Sequence, residues 1–392
     1  MLIALTLGAQ IKDSRANDRL DPALRQVVAE VCSSRMVFLG EEGSHGGAVA
    51  FAVKAQLVEE LVGKCNFRHV AFESQVYDFE DLKQRYAAGT ATQAALFDAV
   101  GALWSTASEM EPVLHTLHAK AQAGELVLSG IDGQIGSSTG IYTQQRLGGA
   151  LSAVLAEPGR GHCKATIDRL TSWTFDAEHP NDDAYKQAIA KCLDAAQAAA
   201  GNSSSVGAST RLLIRSFRDQ LKFSETDYSN QRDRLMYENL AAIVHTLPAG
   251  TKTVVWTANV HAARQPFDGR AATAGYFADQ DPGAVRSIGI AAVSGSYGRQ
   301  GRVASELQPA IEGSLEMMAA PKAPSVMNYV SSKDLSGHDG QPSRLLGYAS
   351  YKQAAWSRLF DGVIILRSEH QPNFIRSQQP QQPIGMGSKT SP

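Results

Sequence analysis

The chain has 392 residues, of which 43% are hydrophobic and 19% charged, a balance typical of a globular protein with a sizeable core. Its formal net charge of -2 gives no electrostatic reason to expect a nucleic acid or a membrane surface as partner. No apolar run approaches the roughly 18 residues that a membrane-spanning helix requires. The length allows two to three domains, or one large domain with an insertion.

The cysteines and the N-terminus bear on the cellular compartment. Residues 1–7 are apolar but lack a preceding basic segment, so an N-terminal strand or leader is favoured over a signal peptide. The cysteines, Cys32, Cys65, Cys163 and Cys192, lack the CxxC spacing of zinc knuckles and redox motifs. Buried free thiols are the simplest interpretation, because a Cys163–Cys192 disulfide would fit only an oxidising compartment. We therefore expect a cytoplasmic protein, or a periplasmic or secreted one if the apolar N-terminus is a remnant signal.

Six short apolar runs predict buried strands, because they are rich in Val, Ile and Phe and are bounded by Gly or polar residues. They cover residues 36–40, 69–73, 126–132, 253–259, 286–292 and 362–366. Helical patterns lie between them, for example at residues 48–62 and 109–123. Alternation of strands with helices predicts an α/β fold with a mostly parallel central sheet flanked by helices.

One region breaks this alternation. Residues 141–250 show helical periodicity without a convincing strand, including candidate helices at 182–200 and 210–245. We interpret this region as an all-helical insertion or cap. It divides the α/β core into a first part, residues 1–140, and a second part, residues 251–370. Residues 371–392 form a predicted disordered tail, which is rich in Gln, Pro and Ser from residue 377 onward.

Polar residues follow four of the predicted strands, and ligands of open α/β sheets bind beyond the carboxyl ends of the strands. These side chains can transfer protons or form hydrogen bonds, so they define a candidate site. They are Glu41, Glu42 and His45 after the first strand, Glu73 after the second, Asp132 after the third, and Asn259 and His261 after the fourth.

The segment around His45 is the most informative of these. Its glycines allow tight turns and close approach to a ligand, and the helix predicted to begin next offers free amides to an oxyanion. A histidine beside carboxylates is the usual general-base arrangement. The alternatives are a glycine-rich turn with an incidental histidine, a structural role for Glu73 as a helix cap, and a turn histidine at His261.

Several catalytic motifs are missing from the sequence. It contains no HExxH, GxSxG, Walker A or GxGxxG pattern, which argues against a zincin, a nucleophile-elbow serine hydrolase and a nucleotide-binding protein. His115 and His118 could share a metal on one helix face, but a solvated face is the better interpretation because no matching carboxylate is nearby. We expect neither a metal nor a cofactor.

Taken together, these residues resemble the erythromycin esterase family, in the same order along residues 36–366. The motifs that carry the resemblance are Glu42-Gly-Ser-His45-Gly46, the strand that ends in Glu73, Trp104 to Glu109, Gly130 to Gln134, the helix with Arg232-Asp233, Val255-Trp256-Thr-Ala-Asn259-Val-His261, and Phe360-Asp361-Gly.

The resemblance implies an esterase in which His45 removes a proton from a water that attacks an ester carbonyl, without a metal or a covalent intermediate. It implies that Glu42 and Glu73 orient and polarise His45 or its water, and that His261 and Arg232 stabilise the oxyanion or bind substrate. Further candidate substrate-binding residues are Lys54, Asn259, Trp256 and Arg264.

Two residues depart from the family pattern. Lys54 stands where the family usually has Arg, and Lys cannot form a bidentate clamp on a carboxylate or carbonyl. The pair Glu41-Glu42 replaces a single Glu, so the sequence leaves open which carboxylate acts on His45.

The predicted partner is a small-molecule ester, and the sequence makes no prediction of the oligomeric state. One candidate substrate is a macrolide lactone, which would make the chain a macrolide resistance enzyme; another is an ester on an envelope polysaccharide. A third hypothesis is a non-catalytic protein that binds a metal or a small molecule on the same scaffold. A large apolar cleft would favour the macrolactone, and a polar cleft would favour the other ester.

Overall fold

The computed structural model describes residues 20–135, 140–201 and 207–375. A sheet of seven strands lies at the centre, in the order β3-β2-β4-β1-β5-β11-β8. All neighbouring pairs are parallel except β11 and β8, which run antiparallel at one edge. The strands are β1 (Met36–Leu39), β2 (Phe67–Gln75), β3 (Val127–Asp132), β4 (Lys252–Trp256), β5 (Val285–Ala292), β8 (Met327–Val330) and β11 (Gly362–Leu366).

The predicted fold class is confirmed, and each of the six predicted strands overlaps a strand of this sheet. The prediction missed β8, a short edge strand whose apolar pattern is interrupted by Asn328. It also missed two small hairpins, which are formed by β6 (Gly295–Tyr297) with β7 (Ser305–Leu307) and by β9 (Pro342–Ser343) with β10 (Lys352–Gln353).

Helices cover both faces of the sheet. In chain order they are α1 (Pro22–Val31), α2 (Ala48–Lys64), α3 (Val76–Ala87), α4 (Gln93–Val100), α5 (Ala102–Ser105), α6 (Glu111–Gln122), α7 (Ile141–Ser152), α8 (Gly159–Thr171), α9 (Asp183–Gly201), α10 (Ala208–Gln220), α11 (Tyr228–His245), α12 (Asn259–Ala262), α13 (Thr273–Gln280), α14 (Leu315–Met318), α15 (Ser332–Leu335) and α16 (Trp356–Leu359).

The alternation of side chains along the strands creates a separate core on each face. In β1, Val37 and Leu39 belong to the apolar cluster that includes α2, whereas Met36 and Phe38 belong to the cluster on the opposite face, which includes α11. Both faces of the central strands are therefore buried, which explains why their sequences read as continuous apolar runs.

Residues 141–245 lie between β3 and β4 and, where the structure describes them, form the five helices α7 to α11. They pack around a third apolar cluster, which reaches the α/β part through Val76 and Tyr77 at the start of α3. The last helix, α11, also places Met236 and Leu240 in a core cluster of the sheet. The predicted tail lies outside the described residues from residue 376 onward, as do residues 1–19.

The expectation of free thiols is wrong. Cys32 and Cys65 form a disulfide that joins the ends of α1 and α2, and a second disulfide, Cys163–Cys192, joins α8 to α9. Lys252 donates to the carbonyl oxygens of Cys32 at 2.6 Å and Cys65 at 3.1 Å, which fixes the first pair beside β4. Spacing alone could not reveal these pairs, because tertiary packing brings each pair of cysteines together.

The parallel register brings the strand ends to one edge of the sheet. Trp256, the last residue of β4, lies opposite Leu39 of β1 on one side and Phe72 of β2 on the other. The residues that follow these three positions therefore emerge together, where α/β folds bind their ligands. In the described ranges, none of the helices combines the length and the apolarity that a bilayer crossing needs.

Candidate active site

His45 lies in the loop between β1 and α2, in a left-handed backbone conformation with φ of 54°. A non-glycine residue takes this conformation only when its surroundings hold it there. The next residue, Gly46, packs against Gly298 so closely that a Cβ atom would lie 2.6 Å from the Gly298 nitrogen. Gly298 also donates to the Gly46 carbonyl at 2.9 Å. The glycine at this position therefore lets a second loop fix the backbone beside His45.

The carboxylate that contacts His45 is Glu41, not Glu42. Glu41 Oε1 lies 2.9 Å from His45 Nδ1 and also accepts a hydrogen bond of 2.7 Å from Trp104 Nε1. Glu42 instead turns back on its own loop and accepts hydrogen bonds from the backbone and hydroxyl of Ser44. The sequence-based role of Glu42 is thus corrected. Glu41 and His45 are four residues apart, and the loop conformation brings their side chains together.

Lys54, predicted to bind substrate, is a partner of Glu41. It is fully buried, and its Nζ lies 3.1 Å from Glu41 Oε2, 3.0 Å from the Thr257 carbonyl oxygen and 4.4 Å from the centre of the Trp256 ring. Trp256, also predicted to bind substrate, is fully buried as well. Burial lowers the pKa of Lys54 to about 8, although Glu41 opposes this shift. Burial would raise the pKa of Glu41, but Lys54 and His45 hold it below its usual value.

Glu73 lies at the centre of the site and accepts hydrogen bonds from two sides. Its Oε2 accepts from the hydroxyl of Thr257 and the amide of Ala258, both at 2.8 Å. Its Oε1 lies 2.9 Å from Arg232 Nη2 and 3.1 Å from His261 Nε2. Burial would raise the pKa of this carboxyl, but the neighbouring histidines and Arg232 hold it well below its usual value.

His261 lies between two carboxylates on the short helix α12. Its Nδ1 is 2.7 Å from Asp233 Oδ1, and its Nε2 is 3.1 Å from Glu73 Oε1. Burial lowers the pKa of His261, but the two carboxylates outweigh it and raise the pKa to about 9. Asp233 is itself held by Thr273 and by Arg270, whose Nη2 lies 3.2 Å from Asp233 Oδ2. The two carboxylates therefore favour the protonated form of His261.

Arg232, on α11, directs two of its N–H groups at a single carboxylate oxygen. Its Nε and Nη2 donate to Asp132 Oδ2 at 3.1 and 2.7 Å, and Nη2 also reaches Glu73. Its Nη1 lies 3.1 Å from His261 Nε2, and both Nη2 of the same guanidinium and His261 Nε2 lie beside Glu73 Oε1. The Arg-Asp pair of this helix thus joins the strand ends of β2 and β3 to His261.

Two further residues predicted to bind substrate have structural roles. Asn259 is buried and donates to the carbonyl oxygens of Ile290 at 2.8 Å and Leu345 at 2.7 Å. Arg264 donates to Asp361 Oδ1 at 2.6 Å and does not line the cleft described below. Each side chain is held by partners within the protein that position loops around the site.

A cleft of about 510 Å³ opens beside these groups, and His45, Glu73, Arg232 and His261 line it. Residues 98–104, from the end of α4 through α5, form one wall. Polar side chains outnumber apolar ones around the cleft, so it has the character of a polar site. Besides those four, they are Ser74, Gln75, Asp78, Asp98, Asp132, Gln134, Arg270 and Arg299.

The helical region is attached at the rim of this cleft. Asp78 Oδ1 accepts the Tyr142 amide at 3.1 Å, and Gln75 Oε1 accepts the Gly140 amide at 3.1 Å, so both side chains hold the start of α7. Burial raises the pKa of Asp78 to about 6. Sequence reasoning did not select Asp78 or Arg270, because neither lies in a motif, and it named Trp104 only as part of the family resemblance.

Four buried carboxylates of the site each have a cationic partner. Each of the carboxylates Glu41, Glu73, Asp132 and Asp233 lies within 3.2 Å of a cationic nitrogen of Lys54, Arg232, His261 or Arg270. Among the described residues, no group of three or more His, Cys, Asp or Glu side chains has a metal-binding arrangement.

Comparisons with known proteins place the chain in a family. The family model described as erythromycin esterase matches residues 62–369. A Bacillus cereus protein structure superimposes with a TM-score of 0.71 at 16% identity, covering 90% of this chain and 93% of that chain. A succinoglycan biosynthesis protein gives 0.69 at 16% identity, covering 90% and 92%. A mutant of the erythromycin esterase EreC in its open conformation gives 0.68 at 15% identity, covering 92% and 97%.

No curated protein matches the chain at a significant level in a sequence comparison. At these identities the solved structures show a shared fold alone, whereas the family model covers most of the chain. The chain belongs to the erythromycin esterase family.

Proposed function

We propose that the chain is a carboxylic ester hydrolase in which His45 is the general base. The observation that carries this proposal is the position of the imidazole between a carboxylate and the cleft. Glu41 lies at hydrogen-bond distance from Nδ1, so it holds the ring in the tautomer with Nε2 unprotonated. Nε2 lies 3.8 Å from Glu73 Oε1, beyond hydrogen-bond distance, and it belongs to a side chain that lines the cleft.

The other ionisable groups are poorer bases. Glu73 accepts four hydrogen bonds, from Thr257, Ala258, Arg232 and His261, and its pKa lies well below the usual value. A carboxylate stabilised in this way holds a proton weakly. His261 is already protonated below its pKa of about 9. His45 is thus the group best suited to take a proton from water near neutral pH.

The proposed step is direct hydrolysis. His45 Nε2 takes a proton from water while the water oxygen bonds to the ester carbonyl carbon, and the carbonyl oxygen becomes an oxyanion. The bond from that carbon to the alcohol oxygen then breaks, and His45 returns the proton to the leaving alcohol. Glu41 stabilises the transient imidazolium through Nδ1–H, as an orienting carboxylate does in other acid–base pairs.

Arg232 and His261 are the cations best placed to stabilise the oxyanion, because both line the cleft next to Glu73. A well-placed donor to an oxyanion contributes about 3 kcal/mol to the barrier reduction. The proposed step uses only side chains of the chain, so we expect activity to survive exhaustive dialysis against a chelator. Loss of activity that Zn²⁺ or Mg²⁺ restores would contradict this part of the proposal.

The polar lining of the cleft favours a polar ester over a macrolide lactone. Asp78, Asp98, Gln134, Arg270 and Arg299 contribute to a polar lining, which matches hydroxyl-rich substrates better than apolar ones. An acyl group on a sugar or polysaccharide is therefore the substrate class we favour, with the macrolactone as the second candidate. The fold similarity to a succinoglycan biosynthesis protein is consistent with this choice. A non-catalytic binding role would not explain why His45 lies beside the carboxylates Glu41 and Glu73.

The disulfides support a compartment other than the cytoplasm. Structural disulfides persist in oxidising environments and are rare in the cytosol. Both cysteine pairs of the chain are bridged. We therefore propose that the chain functions in an oxidising compartment, in place of the cytoplasmic location that the sequence favoured.

The test of the proposed function is hydrolysis of a panel that contains acetylated oligosaccharides, simple aryl esters and 14-membered macrolides. His45→Ala should lower kcat by a factor of about 10² to 10⁴, the usual contribution of a general base. His115→Ala, at an exposed histidine on α6, is the matched control and should keep wild-type activity. A wild type that hydrolyses none of the panel, or a His45→Ala variant as fast as wild type, contradicts the proposal.

A further inference from the structure

A second cavity of about 200 Å³ adjoins the catalytic cleft. Val260 and Arg270 line both cavities, so the two cavities border each other at these residues. Val260 directly precedes His261, and Arg270 contacts the Asp233 carboxylate that holds His261. The second cavity, here called the side pocket, therefore begins next to the groups that surround Glu73.

The side pocket differs from the cleft in its chemistry. Val260, Ala263, Phe267 and Leu346 form its apolar walls, and Phe267 and Leu346 also pack against a core cluster of the sheet. Its polar lining residues are Asp268, Arg270, Ser350 and Lys352, and Lys352 Nζ lies 3.6 Å from Asp268 Oδ2. The cleft thus offers hydrogen bonds, whereas the side pocket offers apolar surface.

One wall of the side pocket is held by a tight turn. Asp268 and Gly269 have φ values of 52° and 73°, and the backbones of Phe267 and Arg270 exchange two hydrogen bonds of 2.9 Å. Positive φ at both central residues is the signature of a type I′ turn, for which Asp-Gly is a preferred sequence. Asn230 on α11 binds the same turn through the Gly269 carbonyl at 3.2 Å. This wall is therefore rigid before any ligand binds.

A buried side chain links two other residues that line the side pocket, Val260 and Leu346, through their chain neighbours. Asn259 precedes Val260 and donates to the carbonyl oxygen of Leu345, which precedes Leu346, at 2.7 Å. A hydrogen bond between the neighbours of two wall residues fixes the width of the pocket. Pre-formed pockets bind ligands without the cost of ordering their walls.

We propose that the side pocket binds an apolar group of the substrate, an aromatic ring or a short branched alkyl chain, while the ester lies in the cleft. A dry apolar cavity of roughly 150 Å³ accommodates benzene in another protein, so a pocket of about 200 Å³ suits a group of this size. The proposal rests on the esterase function proposed above. It makes the preferred substrate an amphiphilic ester, with a polar part in the cleft and an apolar part beside Val260.

The test compares methyl acetate with methyl benzoate and benzyl acetate, which carry a phenyl ring on the acyl or the alcohol side. The measured quantity is kcat/KM for the better phenyl ester divided by kcat/KM for methyl acetate. Leu346→Trp fills the pocket and should lower this ratio at least tenfold. Met318→Trp, at an exposed side chain that lines neither cavity, is the control and should leave this ratio unchanged. An unchanged ratio in Leu346→Trp overturns the proposal.

A second variant and a binding measurement separate this proposal from the esterase proposal. Phe267→Ala enlarges the pocket and should shift the preference toward 2-naphthoate esters; a preference that does not move counts against the pocket. Saturation-transfer NMR with N-benzylacetamide, which has no ester to cleave, should detect binding to wild type and its loss in Leu346→Trp. Binding without hydrolysis of any ester would refute the esterase function and keep the pocket, whereas hydrolysis without binding would refute the pocket alone.

Discussion

The neighbouring residues Glu41 and Glu42 allow a matched test of the site. Glu41→Gln removes the charge beside His45 and Lys54, whereas Glu42→Gln removes an equal charge that interacts with Ser44. We expect Glu41→Gln to lower kcat by a factor of about 10³, within the range of acid–base contributions, because an amide no longer stabilises the imidazolium. Glu42→Gln should change kcat less than threefold.

The loss of stability in Glu41→Gln is set by the proton on Lys54. Removing one partner of a buried ion pair usually costs about 3 to 5 kcal/mol, because a charge is left uncompensated. Lys54 can lose its charge instead, since burial has already lowered its pKa to about 8. Releasing that proton at pH 7 costs about 1.4 kcal/mol, one pH unit at 1.36 kcal/mol per unit. This smaller value is the expected destabilisation.

The sign of the pH dependence follows from the same argument. The cost of releasing the Lys54 proton is about 3 kcal/mol at pH 6. It falls as the pH rises toward the pKa of about 8, and it is absent at pH 9. Urea denaturation of both variants at pH 6, 7 and 9, together with ester hydrolysis at pH 7, measures both effects. The reasoning is refuted if Glu42→Gln loses as much activity as Glu41→Gln, or if the destabilisation of Glu41→Gln grows as the pH rises.

Three further predictions concern other parts of the chain. The pKa of His261 is raised to about 9, so protonated His261 adds to the free energy of unfolding. This contribution is fully present below pH 6.5 and is lost as the pH rises through 9. His261→Gln should therefore flatten the urea stability profile by about 3 kcal/mol across that window, and profiles parallel to wild type would contradict this assignment. Each disulfide closes a loop of 33 or 29 residues, so reduction should cost roughly 4 kcal/mol per bridge. When the protein is unfolded without reduction, iodoacetamide should not alkylate its cysteines, which mass spectrometry can measure. Alkylated cysteines would disprove the pairing. Arg264→Ala should leave KM within twofold, because Arg264 binds Asp361; a tenfold rise would return it to the substrate-binding site.

The sheet was predictable because its strands are buried on both faces. A strand such as β1 must be apolar at every position to serve two cores, so it stands out as a continuous run between polar or glycine residues. The candidate site was predictable for a related reason. Parallel strands place their carboxyl ends at one edge, so the side chains of Glu73 and His261 could be expected to lie together before their distance was known.

Only the tertiary structure decided which of these side chains act on one another. Adjacent positions such as Glu41 and Glu42 are equivalent in sequence, and the direction of each side chain depends on loop dihedrals that distant residues such as Gly298 hold in place. Burial decided the role of Lys54 and Trp256, because a side chain that α2 or the sheet covers cannot reach a ligand. The cysteine pairs were likewise set by helix packing. Local pattern therefore determined the elements and the edge that carries the site, whereas contacts between residues far apart in the chain determined its chemistry.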